Sequence, residues 1–440
     1  MRISPLPGAF NGGVIERLVK GRRHYAWLIV AVTFVTLITT AGFRATPGVL
    51  IVPLQHEYGW SRGTISIAVS LGLLMFGLTA PFSAALMDRF GVRRVMLVAL
   101  VVIAAGASST SLMTAPWQLD LLWGIVVGSA TGAVSVPLAA TVATRWFVER
   151  RGLATGILTA SNASGQMVFL PVLALLATDY GWRWAVYAVS GVALLVVFPI
   201  VAFFVRDRPQ SVGLQPYGAT EEVAVPPRPA RPFRTALEGL AIGSRSGQFW
   251  LLVVTFFICG LSTNGLVGTH LISAGIDHGM TAVAGASLLA LMGVFDIVGT
   301  TVSGWLTDRA DPRKLLAWYY GLRGLAVIAL PYAFGSTAAL IAFAVFYGLD
   351  WVATVPPTVA LTADNFGPQR AGVVFAWVYA SHQLGAATAA WMGGATRGWF
   401  GSYTFAFVAA GVCCLFASGL SLRIKRPVLV PQMEIEPLTA

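Results

Sequence analysis

Long apolar runs separated by short polar turns recur from residue 25 to residue 424, and no other feature constrains the fold of this chain as much. A bilayer core holds no water to satisfy backbone N–H and C=O groups, so a run of about 20 apolar residues must close its hydrogen bonds on itself as a helix. Hydrophobic residues make up 56% of the sequence and charged residues 11%, a balance that excludes a soluble domain. The runs predict twelve spans, at 25–54, 62–86, 95–114, 117–142, 151–177, 182–205, 249–274, 283–307, 313–334, 337–363, 371–395 and 402–424. An even number leaves both chain ends on the same side. The fold class expected is an all-α membrane protein of twelve transmembrane helices.

The turn Asp88-Arg89-Phe90-Gly91-Val92-Arg93-Arg94 has a near copy at Asp308-Arg309-Ala310-Asp311-Pro312-Arg313-Lys314, 220 residues further on. Laying one copy over the other brings Phe249-Trp250 near Tyr25 and Trp27, and Arg370-Ala371-Gly372 onto Arg151-Gly152. The chain therefore reads as two similar six-helix halves, a parallel repeat of the kind found in secondary transporters. The divisions expected are a tail at 1–24, a first half at 25–205, a linker at 206–248, a second half at 249–424 and a tail at 425–440. Residues 217–235, rich in Pro, Arg and Ala without apolar periodicity, predict a flexible connection too short for a catalytic domain.

The formal net charge of +11 is distributed by side. The turns on one side hold Arg89, Arg93, Arg94, Arg145, Arg150, Arg151, Arg309, Arg313, Lys314 and Arg370, together with the basic residues of both tails and the linker, whereas the other side holds only Arg62, Arg183 and Arg397. Lys and Arg are retained on the cytoplasmic side of bacterial membranes, so both termini and the linker are expected in the cytoplasm of a multi-pass protein of the cell inner membrane. The basic charge then reports topology and contact with the lipid bilayer, not nucleic acid. The three cysteines, Cys259 and the adjacent Cys413-Cys414, imply no disulfide framework and read as packing residues inside spans. The five histidines show no metal-ligand spacing and no phosphate-binding loop is present, so neither a metal, a cofactor nor ATP drive is expected. The first apolar run is too long for a cleavable leader and reads as a span.

The Asp-Arg-x-Gly-x-Arg-Arg turn resembles the signature between the second and third spans of the major facilitator superfamily. Ala84 stands where that family usually has Gly, while the second copy keeps Gly304. Pro53-Leu54 with Gly59-Trp60-Ser61-Arg62, and Arg145-Trp146-Phe147 followed by Arg150-Arg151-Gly152-Leu153-Ala154-Thr155-Gly156, are similar to patterns of its monocarboxylate-porter and oxalate-formate-exchanger members. The resemblance implies that helices one, four, seven and ten line a central cavity, that two, five, eight and eleven join the halves, and that the rest are peripheral. It also implies that Asp88, Arg89, Asp308 and Arg309 act as a conformational switch outside the cavity. Monocarboxylate members carry an Asp in the eighth helix followed one turn later by an Arg that holds the substrate carboxylate. Asp296 matches the first, but Thr300 stands at the second position, which puts simple lactate or pyruvate transport in doubt.

Ionisable residues inside spans are functional candidates, because a charge at bilayer depth costs roughly 2.5–3.5 kcal/mol on insertion scales unless it meets water, a partner or a ligand. Arg44 lies within Thr39-Thr40-Ala41-Gly42-Phe43-Arg44-Ala45-Thr46-Pro47-Gly48, where two glycines and a proline predict an interrupted first helix. It reads as a ligand-binding or cavity group, with snorkelling or a structural pair as the alternative. Gly124, Gly128 and Gly132 in the fourth span are spaced to admit a close neighbouring helix. The substrate-binding set expected is Arg44, Gln166, Asn264, His270, Asp350 and His382, with Asp296 or Asp350 carrying a coupling proton and Arg323 pairing with Asp350 or Asp296.

These observations predict a secondary transporter, not an enzyme, that moves a small organic solute of carboxylate type by alternating access, with protons as coupling ion and a monomer as working unit. An efflux pump for amphipathic compounds is the rival within transport, suggested by Trp351, Phe375, Trp377 and Tyr379. A non-transporting membrane sensor would need a folded output domain, and neither tail nor linker offers one.

Overall fold

A computed structural model of the chain describes residues 25–219, 232–307 and 309–425. These are helical almost throughout, and among them no strand forms beyond an isolated bridge between Phe147 and Tyr217. In chain order the long helical segments are α1 (Tyr25–Tyr58), α2 (Arg62–Phe90), α3 (Val92–Leu112), α4 (116–146), α5 (Arg151–Asp179), α6 (Trp182–Phe204), α7 (Gly247–Asp277), α8 (Ala282–Thr307), α9 (Pro312–Ala333), α10 (Thr337–Phe366), α11 (Pro368–Phe400) and α12 (Thr404–Ser421). Among the described residues, 9 helices are long and apolar enough to cross a membrane. The remaining three, α5, α9 and α11, are comparably long but carry more polar and small residues. Large apolar side chains stand exposed on the outer surfaces of the peripheral helices, among them Val98, Leu195, Leu325 and Phe416, as a lipid-facing belt requires.

The repeat seen in the turns extends into the hydrogen bonding. Ser83 Oγ on α2 donates to the Ala133 carbonyl on α4 at 2.6 Å, and Ser303 Oγ on α8 donates to the Ala353 carbonyl on α10 at 2.5 Å. Each acceptor lies at a break in its helix. Val134 and Ser135 leave helical geometry before Val136-Pro137, and Trp351 to Thr354 form a turn before Val355-Pro356-Pro357. Proline donates no N–H and clashes with the preceding turn, so the chain breaks there and the freed carbonyl needs a donor. The same pair of helices packs closely at equivalent glycines. A Cβ on Gly128 would meet the Gly72 carbonyl oxygen at 2.7 Å, and one on Gly348 would meet that of Met292 at 2.6 Å.

The expected interruption of the first helix is not found: α1 is continuous across Pro47 and Pro53. Threonine hydroxyls on the helix bond back to its own carbonyls, with Thr36 on Val32, Thr39 on Val35 and Thr46 on Gly42 at 2.8–2.9 Å, which keeps these polar groups satisfied without unwinding the helix. The linker also departs from expectation in part, because a helix spans Pro232–Gly243 and takes in the last four residues of the 217–235 stretch read as flexible, of which 220–231 lie outside the described residues. Its Phe233 ring lies 5.9 Å from Phe82 of α2, and its Ala236 carbonyl accepts from the Trp377 indole of α11 at 2.7 Å. Trp377, expected near the cavity, is therefore turned to the linker helix.

The chain after α6 docks against the start of the bundle. The Tyr217 carbonyl accepts from the N–H groups of Val148 and Glu149, its own N–H donates to the Trp146 carbonyl at 2.7 Å, and its ring packs against Trp27 and Phe147. The aromatic pair Trp146-Phe147 is thus a packing device. The two repeated turns reach similar ends by different means. Gly91 has φ +88°, a conformation L side chains rarely adopt, and a Cβ there would strike the Asp207 carboxylate, which accepts from the Arg93 N–H at 2.9 Å. At the corresponding place Asp311 caps α9 by accepting from the Arg313 N–H at 3.0 Å, with Pro312 as the first helical residue.

Candidate functional site

Both turns lie at one end of the bundle, here called the basic face. A cavity of about 510 Å³ occupies the half of the bundle toward that face, between the two six-helix halves. Its walls come from α1, α2, α4, α5, α7, α8, α10 and α11, with none from α3, α6, α9 or α12 among the described residues. Both helix breaks open onto it, through Val134 to Val136 on α4 and Trp351 to Pro356 on α10. A π-helical turn at Leu261–Val267 widens α7 where Thr263 and Asn264 face the same space.

Arg44 sits at the deep end. It lines this cavity and also a smaller chamber of about 60 Å³ beyond it, as does Asn264, its counterpart 220 residues on. The Arg44 guanidinium carbon lies 4.9 Å above the Phe76 ring, and among the described residues no salt bridge or hydrogen bond to Arg44 forms. It is the sole Lys or Arg among the described lining residues.

Asp296 lies on the wall, 7% exposed, and its bonds explain how α10 tolerates its break. Oδ1 accepts from the Thr300 hydroxyl at 2.9 Å and from the Val352 N–H at 3.0 Å. The side chain thereby replaces the helical acceptor that the turn at 351–354 removes. Thr300, where the resemblance led us to look for a cation, supplies a neutral donor instead. Behind the break, Arg323 of α9 is fully buried. Its Nε donates to Asp350 Oδ2 at 2.6 Å, and its Nη2 donates to the carbonyls of Asp350 and Trp351 at 2.5 and 3.1 Å. Of the two carboxylates weighed for Arg323, it is Asp350 that forms the salt bridge. Asp350 does not line the cavity; its Oδ1 is buried without a partner.

The remaining expected residues divide. His382 lines the cavity, stacked on Tyr379 at 5.9 Å between ring centroids and 3° between planes, with Nε2 3.5 Å from Thr263 Oγ1. His270 does not line it: fully buried, it bonds through Nε2 to the Ala390 carbonyl at 2.7 Å and packs on Tyr403. Arg89 is exposed and stands over Phe90, and Arg309 bonds to the Trp305 carbonyl at 3.2 Å, so each makes local contacts. Asp308 lies outside the described residues, as do the side chains of Asp88 and Gln166.

At the face opposite the basic one the halves are held together. Asp277 at the end of α7 accepts from both terminal nitrogens of Arg62 on α2, at 2.9 and 2.8 Å, and from Arg397 Nε on α11 at 2.6 Å. The third arginine of that face, Arg183, pairs with Glu57 at 2.6 Å inside the first half. Below this layer α1 and α7 touch at equivalent glycines, since a Cβ on Gly48 would lie 3.3 Å from the Gly268 carbonyl oxygen. All three arginines of this face are thus paired. Asp277, which the sequence reading did not single out, had one legible signal, its place at the end of a span facing the few arginines of that side. Asp277→Asn is expected to let the opposite face separate. Paired spin labels at His56 and Ala284 should show a longer or broader distance distribution, and an unchanged distribution would remove the lock.

Comparison with known proteins decides the family. The family model described as the Major Facilitator Superfamily matches residues 32–390 and, in a second match, 297–436. The chain belongs to the Major Facilitator Superfamily. Among relatives in this superfamily, the chain is 25% identical over 419 residues to an uncharacterized MFS-type transporter, YcxA, of Bacillus subtilis, covering 93% of this chain and 95% of that protein. It is 26% identical over 405 residues to monocarboxylate transporter 13 of Rattus norvegicus, covering 91% and 89%. The fold matches the crystal structure of a bacterial homolog of the human lysosomal transporter Spinster in an inward-facing, unoccupied conformation. That match has a TM-score of 0.74 and 16% identity over 91% of this chain and 97% of the other. The superfamily fold, a transporter and not an enzyme, is the one the repeat and the turns predicted.

Proposed function

We propose that the protein is a secondary active transporter that moves a small organic anion through this cavity by alternating access, coupled to protons, with the basic face in the cytoplasm and the chain in the cell inner membrane. One observation carries the reading: a cavity between the halves, shut on one side by ion pairs across them, ends on a guanidinium that no carboxylate among the described residues neutralises. A cation kept at that depth is best compensated by the charge of a ligand. The relatives named monocarboxylate transporters support an acid as the ligand. In this reading Arg44 binds the anion, Asn264 and His382 complete the site, and release of the Asp277 cluster accompanies reorientation of the halves.

Proton coupling falls on Asp296, not Asp350. Asp296 borders the cavity and among the described residues accepts only from neutral donors, so it can gain or lose a proton in exchange with water there. Asp350 is committed to Arg323. The test is reconstitution of Asp296→Asn in liposomes. Exchange of substrate at equal pH should persist at near-parental rate while accumulation driven by an imposed pH gradient is lost; full accumulation by the variant would end the proposal for Asp296. The topology follows from the basic face, and a tag in the 217–235 segment should be reached only from the cytoplasm. A tag reached from outside would invert it.

The aromatic walls favour a second reading, efflux of amphipathic compounds. Under that reading binding would not depend on Arg44.

A further inference from the structure

We infer that the transported anion carries one negative charge on a bulky, flat apolar body of aromatic-acid type, in place of a two- or three-carbon acid. The inference rests on the reading that Arg44 receives the anion, and adds what the rest of the cavity must hold. The volume of about 510 Å³ admits a ligand far larger than a two- or three-carbon acid. A three-carbon acid fills on the order of three water volumes of roughly 30 Å³ each, and would leave the remaining walls wetted. A cavity of this size matches a ligand of drug-like dimensions.

The walls decide the shape. Rings run without a gap from the cation into the cavity: Phe76 lies beneath Arg44, Tyr379 is 6.4 Å from Phe76, His382 is stacked on Tyr379, and Phe256 lies 4.9 Å from His382. Trp351 and Trp305 line the same cavity from α10 and the end of α8. A flat body extending from a carboxylate on Arg44 would lie along this row, releasing water from apolar surface on both sides. The charges decide the valence. Arg44 is the sole Lys or Arg among the described lining residues, and the second charged group on the wall is the carboxylate Asp296. A second anionic group on the ligand would find no second cation among the described lining residues and would meet Asp296.

The test uses purified full-length protein in nanodiscs and reads the dissociation constants of acetate, pyruvate, benzoate, phenylacetate, 1-naphthylacetate and phthalate, together with the neutral amides of the two arylacetic acids. Affinity should rise about tenfold or more with each ring added, and the amides and the dicarboxylate should bind at least about tenfold more weakly than the matching monoacid. Tyr379→Leu should weaken 1-naphthylacetate and leave pyruvate unchanged. Acetate and pyruvate binding as tightly as 1-naphthylacetate would overturn the inference while leaving an anion transporter standing. Amides binding as tightly as their acids, with affinity still rising by ring, would instead overturn the anion reading and favour the amphipathic one.

Discussion

Replacing Arg44 by glutamine is expected to weaken substrate binding by roughly 10- to 100-fold, the range of a lost charge-assisted hydrogen bond of about 1.5–3 kcal/mol. Glutamine is two bonds shorter than arginine but keeps an unbranched stem with a polar end, so the fold should be retained. Arg44 contributes no described salt bridge whose loss would unfold the protein, and its one assigned contact is with the Phe76 ring. Lysine should be intermediate, because an ammonium supplies charge without the planar fork that grips a carboxylate. The measurement is a binding isotherm on purified protein alongside its melting temperature. Normal binding by Arg44→Gln would defeat the anion mechanism, whereas weaker binding with an unchanged melting temperature assigns the loss to the site.

The largest effect on stability is expected at Arg323. Arg323→Leu removes the partner of a buried carboxylate and the donor to two carbonyls at the α10 break, and the loss of one member of such a pair costs about 3–5 kcal/mol. Asp350→Leu alone should be nearly as damaging, since it strands a fully buried guanidinium. The double variant Arg323→Leu with Asp350→Leu should recover part of the loss, because two apolar side chains leave no charge uncompensated. Denaturation of the three variants gives the coupling energy. Single variants as stable as the parent would show the pair to be dispensable for folding and return Asp350 to candidacy for proton transfer.

How much of this was legible follows from which interactions are local. Span-length runs, the repeated turn and the side carrying Lys and Arg are written in composition and spacing, and they led to the superfamily fold. The linker helix Pro232–Gly243 was not legible, because its proline- and arginine-rich approach carries no apolar period and its partners lie on α2 and α11. The break in α10 was visible only as Pro356-Pro357. The first helix, with glycines and prolines of its own, looked the better place for an interruption, yet it runs unbroken across both prolines. Arg323, Asp296 and Asp350 were recognisable as buried ionisable groups. Sequence left open which carboxylate the arginine takes, since that depends on side-chain direction across three helices, and it put His270 at the cavity when its ring turns to α11. The matched serines Ser83 and Ser303 were also available at the repeat's offset, but serine in a span is too common to signal a role.

Those matched serines set the mechanical character of each half. In the first half a neutral hydroxyl holds the broken helix, and the positions corresponding to Asp296, Arg323 and Asp350 are Phe76, Ile103 and Ala130, so α4 can bend against α2 without moving a buried charge. In the second half the equivalent hydroxyl works beside an ion pair that joins α9 to α10. Separating that pair in a low-dielectric interior costs several kcal/mol, which favours those two helices moving together. The repeat thus leaves one half with a helix break held by neutral groups and the other with a break braced by a buried ion pair.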